Sequence, residues 1–398
     1  MKLSATCFIL SLRRSTRQYA VFSRKDSLIK HHASSSYFYG RYLSKRMSSS
    51  DTIESEMYPH NLIDVDCNLL HSDLTSLLSS SVSINNNQSS NLRILSHPAT
   101  RLSNIQAVFS PSSTIDEAEC FHSILQKNSP NPSHEVQVKM SVGIHPYHTR
   151  AEEVGEFLGV NPFVSERVRS LLNKDRDQKL ISCIGEIGLD YSEGFPDKEF
   201  QLPWFRFQLH LAKEHNLPMF VHERLAFKDA IQLIDEVFPD GTNESPPIII
   251  HCFTGCREEC EEYISRGYYV SVSGFILKSG DGPEEVCSCL RDGIIPLDKL
   301  MLETDAPYMG FSSCRESFFD VEKQINEEFQ SLKSKKKKSL IKSTYPNVPS
   351  ALPKVFEHAV KCVNEGRIER GEEEVPIADA AHIIYQNSVS FFGFHNTC

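Results

Sequence analysis

"PPIIIHCFTG", residues 246–255, decides how the rest of the chain is read. Three β-branched residues, Ile248 to Ile250, follow two prolines and run straight into a histidine and a Thr-Gly turn. A short apolar run without alternation is the mark of a strand covered on both faces, as in parallel sheets. Such a strand has little use for an imidazole unless its end meets a site. His251 is therefore a candidate for binding a metal or a proton.

Working outward, the same rhythm recurs from residue 60 onward. Strands are predicted at 61–69, 104–110, 136–144, 180–189, 218–223, 247–253, 268–276 and 299–307. Helical patterns separate most of them, at 115–126, 151–173, 198–215, 226–238, 257–266 and 283–291, and a final pair is predicted near 351–365 and 377–391. Strands alternating with helices imply right-handed crossovers and a parallel sheet. Eight such units fit an α/β chain folded as a (β/α)₈ TIM-like barrel. The alternative is a doubly wound open sheet, which normally carries a Gly-rich phosphate loop after an early strand; "DVDCNLLHSD" (64–73) is not one. Two inserts are expected to be surface loops: the Ser/Asn-rich 79–91, and 331–346 with its run Lys335 to Lys338. A nuclear signal or a nucleic-acid contact is the functional alternative for the lysines.

The chain has 398 residues and a formal net charge of −10, with 40% hydrophobic residues. No apolar run has the length of a membrane span, and the acidic balance argues against a general nucleic-acid coat protein. Residues 1–50 hold ten Lys or Arg and one acid, Asp26, and are rich in serine. That composition suggests an organelle transit peptide over about residues 1–55, mitochondrial or plastid; a start at Met47 would instead leave a cytoplasmic or nuclear protein. The twelve cysteines are scattered, which suggests free thiols.

The polar residues collect where the strands end. The first strand gives Asp64, Asp66 and Asn68, the third His145 and His148, and the fourth Glu186 and Asp190. The fifth gives His222, Glu223 and Arg224, the sixth His251, and the eighth Glu303 and Asp305. In a parallel barrel these ends share one rim, the rim that carries the chemistry. So many carboxylates and imidazoles at one mouth repel each other and resist desolvation unless something neutralises them, and a divalent cation does so. Zn²⁺, Mn²⁺ or Mg²⁺ suits this donor mixture.

These stretches resemble the TatD family of metal-dependent deoxyribonucleases. The motifs are "VGIHPY" (142–147), "CIGEIGLDY" (183–191), "PMFVHER" (218–224), "IIHCFTG" (249–255) and "LMLETDAPY" (300–308), with weaker matches at "IDVDCNL" (63–69), "NVPSALP" (347–353) and "YQNSVSFFG" (385–393). The resemblance runs over about residues 60–396. It implies one or two divalent ions held by Glu186, His222, His251 and Asp305, with Asp66 and Asn68 as further candidate ligands. Glu186 would bridge metals, Asp305 would orient or deprotonate the attacking water, and His145 and Arg224 would bind substrate phosphate. Two departures stand out. Asp66 and Asn68 occupy the positions of a His-x-His pair found in many relatives, and Pro346 and Val348 replace an Arg and a Glu.

The implied activity is hydrolysis of DNA phosphodiester bonds, single-stranded or at frayed ends, for instance as a 3′–5′ exonuclease acting as a monomer. The alternatives are an amide or ester hydrolase using the same cation, and an adaptor without catalysis.

Overall fold

The computed structural model describes residues 56–77, 92–127, 136–150, 159–241 and 245–395. The basic leader, the Ser/Asn-rich insert and the first part of the helix expected at 151–173 lie outside the described residues.

Eight strands form one sheet in sequence order, every neighbouring pair parallel. They are β1 (Leu62–Asp64), β2 (Ile105–Ser110), β3 (Gln137–Val142), β4 (Ile181–Asp190), β5 (Met219–Arg224), β6 (Ile248–Ile250), β7 (Tyr269–Val272) and β8 (Leu300–Leu302). The seam between β8 and β1 is closed by Val65 N–H to Leu302 O at 3.0 Å, Asp305 N–H to Asp66 O at 2.9 Å and Asn68 N–H to Ala306 O at 2.8 Å. The fold is thus the expected (β/α)₈ barrel. Closure leaves no free sheet edge, and it ties the two segments that flank the mouth on either side of the seam.

Alternation along the strands separates two cores. Ile248 and Ile250 face the surrounding helices, whereas Ile249 points to the barrel axis; Met219, Val221 and Phe220 divide the same way, as do Leu300, Leu302 and Met301. The axis is filled by Ile63, Val65, Phe109, Phe220, Ile249 and Met301, and closed by Phe391, Phe392 and Phe394. The last two aromatics belong to the end of the helix Ile377–Phe392 and the residues just after it. Phe109 packs between Phe220 and Phe392, with ring centroids 5.0 and 4.4 Å away. One end of the cylinder is therefore plugged with apolar rings, and only the other can hold polar chemistry.

The helices expected at 115–126, 198–215, 226–238, 257–266 and 283–291 are found at Ile115–Lys127, Lys198–His215, Phe227–Val237, Arg257–Ser265 and Asp281–Arg291. The final pair is Leu352–Glu369 and Ile377–Phe392. The lysine run differs from expectation: Ser334–Lys342 is a helix, not a loop, and none of its residues is buried. Lysine is a good helix former, so solvation and helicity are compatible here. Short helices at Ser72–Leu77, Arg93–Ser96, Pro98–Leu102 and Glu327–Ser331 have too few turns to be legible from periodicity, and the helix Glu316–Ile325 is a further element that was not expected. Among the described residues no helix is long and apolar enough to cross a membrane.

Candidate metal centre at the barrel mouth

The inward parity of the strands carries the site. Two residues beyond inward Phe220 lies His222, two beyond Ile249 lies His251, and two beyond Met301 lies Glu303. This answers why an all-isoleucine strand ends on an imidazole: His251 is the next inward position, above the apolar fill. Its ring stacks on Phe220, with centroids 4.7 Å apart.

Glu186 reaches the axis differently. The register of β4 on β5 slips between Ile184 and Ile187, so three residues of β4 face two of β5. An extra residue of this kind re-aims a side chain, and here it turns Glu186 inward. Gly188 follows at φ +139°, where an added Cβ would overlap the carbonyl oxygen of His222. Glycine is required there because β4 and β5 press together beneath two site residues.

Glu186 is the hub. Its Oε1 lies 3.2 Å from His145 Nε2, 3.1 Å from His222 Nδ1 and 2.8 Å from His251 Nε2. His222 Nε2 is fixed by Asp190 Oδ2 at 2.8 Å. His251 Nδ1 faces Asp66 Oδ2 at 3.3 Å and Glu303 Oε1 at 3.7 Å. None of those last three buried atoms has a hydrogen bond of good geometry. Glu303 is completely buried, and its other oxygen accepts from the Ser271 hydroxyl at 2.6 Å.

Burial alone pushes Glu186 up, but His145 and His251 outweigh it and hold the carboxyl well below the usual range. Burial likewise pulls His251 down, yet Glu186 and Asp66 carry it well above the ordinary histidine value. His222 is raised in the same way, its burial offset by Asp190 and Glu186. Asp66 is pushed well up by burial, against the pull of His251. Burial also raises Asp64 to about 8, despite hydrogen bonds from the Thr304 hydroxyl at 2.6 Å and the Thr304 N–H at 2.8 Å. Half-buried Asp305 is pushed up to about 7 by desolvation and by the charge of Glu303.

Two donor trios result, His145–Glu186–His222 and Asp66–Glu186–His251, each with its ligand atoms within 4.8 Å of one another. They share Glu186. Orphaned buried oxygens beside an imidazole, and nitrogens crowded on one carboxylate oxygen, are what a divalent cation would satisfy. The residues fit such an ion.

The expected residues are gathered at one mouth, with different parts. His145, expected at substrate, belongs to a donor trio. Asp305 stands outside both trios: Asn68 donates from Nδ2 to Asp305 Oδ1 and to Asp66 Oδ1, each at 3.4 Å. Asn68 therefore serves the carboxylates as an N–H donor. Arg224 lies at the rim, its Nη2 3.3 Å from Thr254 Oγ1. Asp190, Glu303 and Asp64 are visible in sequence as polar strand ends, but nothing local distinguishes a residue that positions a ligand from one that binds substrate. Between Pro346 and Val348, buried Asn347 donates from its backbone to Pro307 O and from its side chain to Thr304 O, both at 2.8 Å. That loop thus holds the segment carrying Asp305.

A closed parallel barrel with a polar mouth fit for divalent cations is a fold and site of the metal-hydrolase type. The chain belongs to the family described as TatD related DNase, whose model matches residues 86–393. It is 33% identical over 171 residues to the 3′-5′ ssDNA/RNA exonuclease TatD of Erwinia tasmaniensis, covering 42% of this chain and 58% of that protein. It is 37% identical over 134 residues to the protein of the same name from Escherichia fergusonii, covering 33% and 48%. The chain spans about half the length of the curated relatives it matches. The fold is shared with a TatD family hydrolase from Entamoeba histolytica, at TM-score 0.60 and 23% identity over 85% of this chain and 99% of the other. It is shared also with YJJV, a TatD homolog from Escherichia coli, at TM-score 0.57 and 19% identity over 84% and 98%.

Proposed function

We propose that this chain is a metal-dependent nuclease that hydrolyses phosphodiester bonds in single-stranded DNA or at frayed ends, with RNA as a second substrate. The observation that carries this reading is the Glu186 hub, two donor trios sharing one carboxylate at the open end of the barrel. Because both trios include Glu186, this carboxylate would serve as a ligand in either, and the donor set would suffice for one or two ions. When bound, the divalent cation supplies positive charge that acidifies water and takes up charge developing on phosphate.

The remaining steps fall to the chain's own residues. Asp305, whose carboxyl burial and the charge of Glu303 push up in the metal-free chain, would accept the proton of the attacking water. Asn68 holds Asp305 and Asp66 at fixed distance. Arg224 offers its guanidinium to a phosphate oxygen. Asp190 keeps His222 oriented towards Glu186 through its second ring nitrogen.

The rim supports a nucleic acid over a small ester. Exposed Tyr147 packs edge-on to Phe195, 5.4 Å away, and Phe195 stacks with His222 at 6.3 Å. Across the mouth, exposed Tyr308 and Tyr345 lie 6.3 Å apart, with Tyr345 held to Asp73 by a 2.5 Å hydrogen bond. Aromatic faces around a cleft whose carboxylates a divalent cation would neutralise suit unstacked bases. The helix Ser334–Lys342, which carries Lys335 to Lys338, leads towards Tyr345, and its lysines would offer positive charge to phosphate along the same segment.

The test incubates the purified chain with end-labelled single-stranded DNA, single-stranded RNA and generic esters, with and without EDTA. Shortening of the nucleic acids that EDTA stops is the expected result. Ester cleavage alone would move the assignment to a deacylase, and no turnover with any divalent cation would make the chain an adaptor.

A further inference from the structure

A second cluster of soft donors lies outside the barrel, between two helices of the outer layer. Cys287 projects from the helix Asp281–Arg291, and His358 and Cys362 come from the helix Leu352–Glu369. His358 and Cys362 are four residues apart and so share one face of their helix. Cys287 Sγ lies 3.7 Å from His358 Nε2, and all three donor atoms lie within 4.8 Å of one another. For a tetrahedral ion with metal–sulfur bonds of about 2.3 Å and metal–nitrogen bonds of about 2.05 Å, adjacent donors are about 3.6–3.8 Å apart. The Cys287–His358 separation matches one edge of that tetrahedron, and Cys362 lies close enough to supply a third corner.

The scaffold under it is close-packed. One turn beyond Cys362, Gly366 presses on the carbonyl oxygen of Arg291, where an added Cβ would overlap it. The helices are thus held in close contact one turn from the donors. Both thiols are buried, while His358 is half-buried and gives an approach from solvent.

We propose that Cys287, His358 and Cys362 form a second metal site, a Cys₂His site for a soft or borderline cation of the Zn²⁺ type, with its fourth corner left to water. Its donors differ in kind from those at the mouth. Thiolates select Zn²⁺ over Mg²⁺ and Mn²⁺, whereas the carboxylate-rich mouth accepts the harder ions. The two sites therefore sort cations by chemistry. The cation fastens the penultimate helix to the helix behind Gly274–Leu277, a segment that begins at Ser273, whose hydroxyl is 3.3 Å from the Cys252 thiol beside His251. Its role is structural: it stiffens the outer wall behind one side of the mouth.

Full-length protein, reduced and stripped with EDTA, is titrated with Co²⁺ alone. The expected result is a near-ultraviolet thiolate-to-cobalt charge-transfer band that Zn²⁺ abolishes and excess Mg²⁺ leaves in place. It should vanish in Cys362→Ser and in Cys287→Ser and persist in Cys252→Ser, a thiol next to the mouth. In unmutated protein, Zn²⁺ should protect Cys287 and Cys362 from alkylation, mapped by mass spectrometry, and leave half-exposed Cys256 reactive. This second readout holds even if a variant fails to fold. Absence of the band in reduced protein, its survival in Cys362→Ser, or equal alkylation with and without Zn²⁺ would overturn the proposal. So would a Cys287–Cys362 disulfide that forms in air while added Zn²⁺ changes nothing.

Discussion

The two ends of the barrel are built from the same eight strands and have opposite characters. At the floor, Phe109, Phe220 and Phe392 fill the axis with rings, and every contact is satisfied by packing. At the mouth the inward positions are Glu186 and, two residues beyond Phe220, Ile249 and Met301, His222, His251 and Glu303, and two of their atoms, His251 Nδ1 and Glu303 Oε1, lack a good partner. The floor gains stability by excluding water. The mouth keeps its buried polar groups poised for a cation. Phe220 joins the two, since its ring packs against Phe109 and also stacks with the His251 ring.

The contrast can be broken most severely at the mouth. Asp305→Asn should lower kcat by about 10²–10⁴-fold while leaving thermal unfolding of the metal-free protein at least as stable, because it removes a base and a buried repulsion together. Full turnover in that variant would separate Asp305 from proton transfer. At the floor, Phe220→Ala should cost about 3–5 kcal/mol in denaturant unfolding, by leaving a cavity among rings. It should also weaken divalent-cation binding, because His251 loses its support; a stability loss with unchanged affinity would show the two ends to be independent.

Asp190→Asn tests a ligand's partner instead of a ligand. Removing the carboxylate that orients His222 should weaken cation affinity by about 10–100-fold, read by isothermal titration, with little change in global stability. Finally, pH separates the ends without mutation. Asp305 and Asp64 titrate in the folded chain at about 7 and about 8, far above an unfolded aspartate, and His222 and His251 are raised above the ordinary histidine value. Between about pH 6.5 and 8 the metal-free folded state therefore holds protons that the unfolded state has lost. Stability should fall as pH rises through that window, by up to about 1.4 kcal/mol per pH unit for each group. Added Mn²⁺ should raise Tm more at the upper end than the lower, because it replaces those protons. An identical Mn²⁺ effect across the window would contradict the pKa assignments.

Much of this was legible in the residues. All eight strands and most of the long helices follow from apolar period and length, and the polar strand ends pointed to one rim. What remained illegible lies where local pattern carries no direction. Nothing in "GEIGLD" tells that a slipped register turns Glu186, not its neighbours, towards the axis. His145 reads as a rim residue, and only its 3.2 Å approach to Glu186 makes it a donor in the centre. The lysine run reads as a loop because its charge is obvious and its single short helix has no buried face to set a period.

The sequence by itself determined the barrel, its rim and the supply of imidazole and carboxylate there, because strand burial and chain order are properties of neighbouring residues. The tertiary structure alone decided which oxygen becomes the hub, which carboxylates lack a partner, and that Cys287 on one helix meets His358 and Cys362 on another. Those outcomes depend on distances between residues far apart in the chain, and distances of that kind are set only when the barrel closes and its helices pack.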